Sequence, residues 1–352
     1  MPFILSTGTA QPPYTFRQSD VKPFVRDMFS DVFADIDRLL DLFENTGIDT
    51  RHFCVPLDWF KEAHQFKEKN ELYIRTAKDL ARQALENALK KANLKIEDIS
   101  HLYFVSTTGI ATPSIDALIL NDLRANKHTK RTPIWGLGCA GGAAGLSRTY
   151  EYALGHPEGI VALVAVELCG LTFQRNDLTK SNLVATSLFA DGAAAVLVCG
   201  DEYRAKGRLQ IHATRSTLWP DTLDVMGWDI SSSGFHVIFS RDIPTIVKEK
   251  TVPDMLDFLQ QSQTAQPQHY LFHPGGRKVL EAYQQALNLP KDKLRIPEEI
   301  LRENGNMSSC TVLHVLDRFL QEKDISSGEF GLVAALGPGF SAEMLLLEGT
   351  GI

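Results

Sequence analysis

The sequence predicts an α/β fold assembled from two duplicated halves around a mostly parallel sheet, and two patterns carry that reading. Short apolar runs at 101–105, 132–135, 159–166 and 193–199 alternate with helical stretches, and the alternation returns at 209–214, 269–272, 330–336 and 342–348. Strands separated by helices are the pattern of βα units. The two halves also match when one is slid over the other. Tyr103-Phe104-Val105-Ser106 falls over Tyr270-Leu271-Phe272-His273, and Gly138-Cys139-Ala140-Gly141-Gly142 over Gly305-Asn306-Met307-Ser308-Ser309, both at a separation of 167 residues. A glycine turn in Phe189-Ala190-Asp191-Gly192-Ala193 has a counterpart in Leu336-Gly337-Pro338-Gly339 at a different separation. The seam is expected near Lys206-Gly207, giving halves of 1–206 and 207–352, and the lack of a low-complexity linker implies that they share an interface. Ahead of the strands, 22–44 and 72–93 read as amphipathic helices, because their apolar residues recur at spacings of three and four.

At 352 residues the chain exceeds the usual size of one hydrophobic core, in keeping with two units. Its 44% hydrophobic and 22% charged residues are those of a globular protein. A formal net charge of -7 and a pI near 5.8 argue against nucleic acid as a partner, since neutralising phosphates takes clustered Lys and Arg. An anionic ligand needs a local basic patch instead. The N-terminal Met-Pro-Phe-Ile-Leu has neither the basic nor the apolar region of a secretory signal. The most apolar stretch, 160–171, is interrupted by Glu167 and too short to span a bilayer, so a cytoplasmic protein without a membrane span is expected. Five cysteines, never in a Cys-x-x-Cys pair, fit neither a disulfide framework nor a zinc site.

Three residues stand where chemistry is expected. Cys139 lies where a short strand feeds a glycine-rich turn and then a helix reaching about Leu154. A thiol at a helix start faces unpaired N–H groups and the positive end of the helix dipole, both of which favour the thiolate. On this motif alone, nucleophile and buried structural thiol are both open. His273 ends an apolar strand at Leu271-Phe272-His273-Pro274-Gly275-Gly276, the end from which open α/β sheets contact ligands, and it can exchange a proton near neutral pH. The alternative is a packed histidine satisfied by backbone. Asn306 starts a glycine-flanked helix, where capping would explain an Asn. Its register with Cys139 in the duplicated halves points instead to one shared central site. Cys54, Cys169, Cys199 and Cys310 read as structural.

Taken together, Gly138-Cys139-Ala140-Gly141-Gly142, Phe189-Ala190-Asp191-Gly192-Ala193-Ala194, His273-Pro274-Gly275-Gly276, Gly305-Asn306-Met307-Ser308-Ser309 and Gly337-Pro338-Gly339 resemble the type III polyketide synthases, the chalcone-synthase-like family, in order over most of the chain. The resemblance implies a five-layered αβαβα thiolase-like fold, a homodimer, and acyl-CoA and malonyl-CoA as substrates with no further cofactor. It implies that Cys139 holds the starter acyl group and growing chain while His273 and Asn306 activate the extender. Phe189 is similar to the family's gatekeeper between CoA tunnel and cavity, and Arg51 to a position meeting the CoA phosphates. Glu167 and Thr172 fall where the family lines its cavity, and Gly337, Pro338 and Gly339 form its cavity-shaping turn. Thr112 stands where plant members place a Met that contacts the partner's cavity. Without the family, Phe189 reads as core packing, Glu167 as a solvated or hydrogen-bonded strand end and Arg51 as a surface charge.

The chain departs from plant members at Thr112, at Ala335-Leu336 before Gly337, and in having no clear second gating Phe near 234–238. It resembles more closely the bacterial members that extend fatty acyl starters into alkylpyrones or alkylresorcinols. Alternatives are a ketoacyl synthase of fatty-acid initiation, which typically has His-Gln-Ala-Asn in place of His273-Pro274-Gly275-Gly276, a cysteine-dependent acyl-CoA thioesterase, and a non-catalytic acyl-CoA-binding module.

Overall fold

Successive residues of a strand face opposite sides, so a strand that is apolar throughout must be covered on both faces. The computed structural model, which describes residues 1–240, 242–322 and 325–351, meets that demand with layers. Its strands are β1 (Phe3–Ala10), β2 (Tyr14–Arg17), β3 (Thr50–Phe53), β4 (His101–Val105), β5 (Lys130–Ile134), β6 (Ile160–Leu168), β7 (Asp191–Cys199), β8 (Leu209–Leu218), β9 (Met226–Ser231), β10 (Gly234–Phe239), β11 (His269–Phe272), β12 (Phe330–Gly337) and β13 (Ser341–Gly349). Its helices are α1 (Gln18–Phe29), α2 (Ile36–Asn45), α3 (Phe66–Ala92), α4 (Ile115–Asp122), α5 (Gly141–Gly155), α6 (Lys180–Leu188), α7 (Ile243–Ile246), α8 (Val252–Gln261), α9 (Arg277–Ala286), α10 (Arg295–Asn304) and α11 (Ser309–Glu322).

Nine strands hydrogen-bond in the order β11-β12-β13-β8-β1-β7-β6-β4-β5. The join between β8 and β1 is only two residue pairs, Phe3↔Gln210 and Ile4↔Leu209, so the array divides there into two sheets. Both sheets carry one topology. β4 runs parallel to β6, β6 antiparallel to β7 and β7 antiparallel to β1; β11, β12, β13 and β8 repeat that sequence of directions.

The sheet is therefore mixed, which corrects the mostly parallel expectation. The reason is local. Only Pro338, Gly339 and Phe340 separate β12 from β13, and so short a connection can only return the chain antiparallel.

Side-chain alternation builds the five layers. Leu332, Ala334 and Leu336 of β12 pack with Met255 and Phe258 of α8 and Leu280 of α9 on one outside face. Val333 and Ala335 point the other way, into a core shared with Leu146 of α5, Val312 and Leu316 of α11, and Leu163 and Ala165 of β6. Ala162, Val164 and Val166 of β6 then face α3 through Ala77, Ala81 and Ala84 on the opposite outside. α5 and α11 thus form the middle layer between the two sheets. No helix among the described residues is long and apolar enough to cross a membrane.

Two further expectations change. The helix expected at 22–44 is two helices, α1 and α2, which fold onto one core through Val25, Phe29, Leu40 and Phe43. β1 was not anticipated, because Ser6, Thr7 and Thr9 interrupt the apolar run by which the other buried strands stand out. Inside the fold those polar atoms are satisfied: Ser6 Oγ donates to Ala88 O at 2.8 Å and Thr7 Oγ1 to Asp317 Oδ1 at 2.6 Å.

The middle layer depends on a close approach. A Cβ placed on Gly142 of α5 would lie 2.2 Å from the Ser309 carbonyl oxygen of α11, a backbone atom with no room to yield. Gly142→Ala is expected to lower unfolding free energy by about 1–3 kcal/mol through overpacking, read by urea denaturation. An unshifted midpoint would show that the two helices are not in contact there.

Candidate active site

The starts of α5 and α11 bring Cys139 and Asn306 together. Gly136 at φ +92° and Gly138 at φ +48° let the chain turn sharply after β5, and Cys139 sits in the single 3₁₀ turn (Gly138–Ala140) that feeds α5. Its side chain is 7% exposed, and the thiol donates to Ser308 Oγ at 3.5 Å. Asn306 is 1% exposed. Its Oδ1 accepts from Ser308 N at 2.8 Å, as a cap would, and its Nδ2 donates to Gly275 O at 3.0 Å. Capping and proximity to Cys139 are both true of it.

Burial pushes the Cys139 thiol up to about 12; hydrogen bonds from Ser308 and Asn306 favour the thiolate and the nearby Glu167 charge opposes it. Desolvation thus opposes the helix-start effect that the sequence suggested. His273 projects from the end of β11, its N–H donating to Ala334 O at 2.8 Å. Neither ring nitrogen has a partner among the described residues, and burial lowers its pKa to about 3. The imidazole is neutral and free to accept a proton.

Phe189 ends α6 and forms an isolated parallel bridge with Asn306: Asn306 N donates to Leu188 O and Ala190 N to Asn306 O, both at 2.9 Å. It also lines an apolar pocket walled by Phe16, Phe24, Phe53, Phe60 and Phe173, with Cys169, Thr172, Trp228 and the inward end of Arg51. Trp228 of β9 and Val237 of β10 close one wall of it, while Phe235, the phenylalanine within 234–238, is buried against Phe66 and Trp228 and does not line the pocket. A separate open cleft is lined by Gly275, Gly276, Arg277 and Lys278 at the start of α9 and by Lys180 and Ser181 of α6. Lys180 and Lys278 make no ion pair among the described residues, while Arg277 Nε reaches Glu281 at 2.9 Å.

Of the residues singled out from the sequence, Cys139, Asn306, Phe189 and Thr172 fall in or beside this centre. Pro338 also reaches it, since a Cβ on Gly138 would lie 2.7 Å from Pro338 Cδ; Gly337 and Gly339 flank it in the same turn. Glu167 does not line the cavity. It is fully buried and accepts from Thr107 N, Thr107 Oγ1, Thr108 Oγ1 and Ser309 Oγ at 2.6–3.0 Å, tying β6 to the start of α11; burial raises its pKa. Thr112 is exposed on the loop after β4, away from the chamber within one chain.

Arg51 does not meet the open cavity as its resemblance implied. It is 2% exposed, and Nη1 donates to the Thr186 and Phe189 carbonyls at 2.7 and 2.8 Å. Lys180, Arg277 and Lys278 are the cations at the cavity mouth, and the sequence reading missed them because nothing local separates them from ordinary surface charges. It also missed Ser308 as the partner of Cys139, although it stands two residues after Asn306 in the quoted motif.

Residues 2–202 match the model of the chalcone and stilbene synthases' N-terminal domain and 210–351 that of their C-terminal domain. The chain is 45% identical to a putative chalcone synthase of Bacillus subtilis over 99% of both proteins. It is 39% identical to a 1,3,6,8-tetrahydroxynaphthalene synthase of Streptomyces peucetius, over 98% of this chain and 92% of that one. It is 30% identical to a phloroglucinol synthase of Pseudomonas fluorescens, over 92% and 93%. The crystal structure of 1,3,6,8-tetrahydroxynaphthalene synthase from Streptomyces coelicolor, a bacterial type III polyketide synthase, superposes with a TM-score of 0.93 at 29% identity, covering 99% of each chain. A strand and helix order repeated in two thiolase-like halves, with a cysteine and an asparagine meeting at its centre, is thus the fold of an acyltransferase-class enzyme, and the chain belongs to the chalcone and stilbene synthase family of type III polyketide synthases.

Proposed function

We propose that this enzyme condenses malonyl-CoA, with loss of CO2, onto an acyl-CoA starter held on Cys139, and that the starter is a fatty acyl group whose extended chain closes to an alkylpyrone or alkylresorcinol. The observation that carries the reading is Phe189, whose backbone pairs with Asn306 while the residue itself lines the apolar aromatic chamber. An alkyl tail in that chamber gains about 0.8 kcal/mol per buried CH₂. We further propose a homodimer in the cytoplasm, with Thr112 facing the partner and the chain dividing near 206–207.

The chemistry follows from the protonation states. His273, neutral and unpartnered, accepts the Cys139 proton as sulfur attacks the thioester carbonyl, and the CoA thiolate leaves, taking up a proton. Malonyl-CoA then loses its carboxylate as CO2, and His273 and Asn306 Nδ2 donate to the enolate oxygen that forms. An asparagine suits this place because a carboxylate would repel both malonate and enolate. The apolar wall at Phe189 disfavours the charged malonyl group relative to neutral CO2. The enolate carbon attacks the Cys139 thioester, restoring the thiolate and forming the carbon–carbon bond.

The same picture assigns Lys180, Arg277 and Lys278 to the phosphates of CoA in place of Arg51. Two relatives are named for polyhydroxylated aromatic products, which favours a second reading in which the product carries no alkyl tail. Family membership weighs against a ketoacyl synthase.

Incubation with malonyl-CoA and acyl-CoA starters of increasing length, followed by mass spectrometry, is expected to give products containing the starter's tail. A tail-free product from malonyl-CoA alone would select the second reading, and release of free acid alone would indicate a thioesterase. Charge reversal in Lys180→Glu/Lys278→Glu is expected to raise KM for acyl-CoA about tenfold, the equivalent of roughly 1.4 kcal/mol, with little change for an N-acetylcysteamine thioester; equal effects on both would place CoA elsewhere. With burial raising the Cys139 thiol, its alkylation by iodoacetamide should rise about tenfold per pH unit from 6 to 9. A rate already flat below pH 7 would indicate a preformed thiolate–imidazolium pair.

A further inference from the structure

Arg51 leaves β3 and runs inward, away from every cation-lined surface. A charge buried this completely costs several kcal/mol unless its surroundings are arranged for it, so what it touches is informative. Nη1 bridges two carbonyls, Thr186 O and Phe189 O, in the last turn of α6 and just beyond it. Those are helix C-terminal acceptors, where positive charge is favourable. Its Cγ and Cδ lie against Gly305, where an added Cβ would fall 2.8 and 2.9 Å from them; Gly305 also has φ +71°, so it is glycine on both counts. The guanidinium carbon stands 5.3 Å from the centre of the Phe53 ring. Burial lowers the guanidinium to about 9, with the Asp191 charge acting in the opposite sense, so it stays protonated at neutral pH.

Both segments that Arg51 grips lead to the same residue. Leu188 and Ala190, on either side of Phe189, exchange hydrogen bonds with Asn306, and Gly305 is the neighbour that precedes it. Asn306 is thus held between the end of α6 and the Arg51 stem.

We propose that Arg51 is a positioning residue for the condensing step: by bracing Thr186, Phe189 and Gly305 it fixes the Asn306 backbone and the aim of its side-chain amide at the Cys139 sulfur. This rests on the reading that Asn306 assists malonyl decarboxylation. Arg51 touches neither Cys139 nor the open cavity but does border the aromatic chamber, so its loss should spare CoA binding and acyl transfer from a short-chain acyl-CoA that leaves the chamber empty. A residue needed only for folding would show no such selectivity.

The test is a double-mutant cycle on purified full-length enzyme, reading malonyl-CoA decarboxylation and, separately, acylation of Cys139 by acetyl-CoA. Asn306→Ala is expected to lower decarboxylation roughly 10²-fold. Arg51→Gln should lower kcat for decarboxylation about tenfold with KM within about twofold and Cys139 acylation retained, and add no further loss in the Asn306→Ala background. Arg51→Lys, whose ammonium can donate to both carbonyls, should recover most of the rate. If Arg51→Gln does not accumulate, Arg51→Lys runs the same cycle, with a smaller loss that should vanish in the Asn306→Ala background. Losses that multiply in the double variant, or fall equally on acylation and decarboxylation, overturn the proposal. So does an undiminished Arg51 variant beside an impaired Asn306→Ala. Normal decarboxylation by Asn306→Ala overturns the underlying reading, and this inference with it.

Discussion

The contact on which the rest of the molecule depends is the meeting of α5 and α11 between the two sheets, closed to backbone distance at Gly142 and Ser309. It sets the spacing of the middle layer, into which β6 and β12 both send alternate side chains. It also superimposes two helix starts, so that Cys139 from one half and Asn306 from the other reach the same point. Glu167 adds a second tie at that crossing, since one buried carboxylate holds the loop after β4 and the hydroxyl of Ser309 together. A site made at the junction of two repeats keeps its geometry only as long as the repeats stay in register.

Burial then decides the electrostatics of the centre. The thiol is raised and the imidazole lowered by the same desolvation, so a charge on either depends on an opposite charge or a hydrogen-bond donor placed beside it. The positive charges divide by place. Lys180, Arg277 and Lys278 stand at the open cavity, whereas Arg51 is spent on backbone carbonyls inside the fold. An acidic chain can therefore present a basic mouth to an anionic ligand.

Much of this was legible in the sequence. The 167-residue separation that links Cys139 to Asn306 and Ser106 to His273 corresponds to the segments leading into α5 and α11 and to the ends of β4 and β11, because duplicated units of equal order put equal positions at equal ends. Strands buried on both faces, such as β6 and β12, were visible as unbroken apolar runs. β1 was hidden because its Ser6 and Thr7 hydroxyls are paid for by partners 82 and 310 residues away, which no local pattern reveals. Strand direction was misjudged for the related reason that it depends on connection length rather than composition. Arg51 was misplaced because a surface arginine and a buried one look alike until the carbonyls around them are known.

The central claim is that the Cys139 sulfur, beside Ser308 and Asn306, is the atom that takes up the acyl group. Exposure of the enzyme to acyl-CoA without malonyl-CoA, followed by intact-protein mass spectrometry and peptide mapping, tests it most directly. The account predicts one acyl increment, located on the peptide containing Cys139 and absent from Cys139→Ala. An increment on Cys169, the thiol that lines the chamber, or none at all, would contradict it.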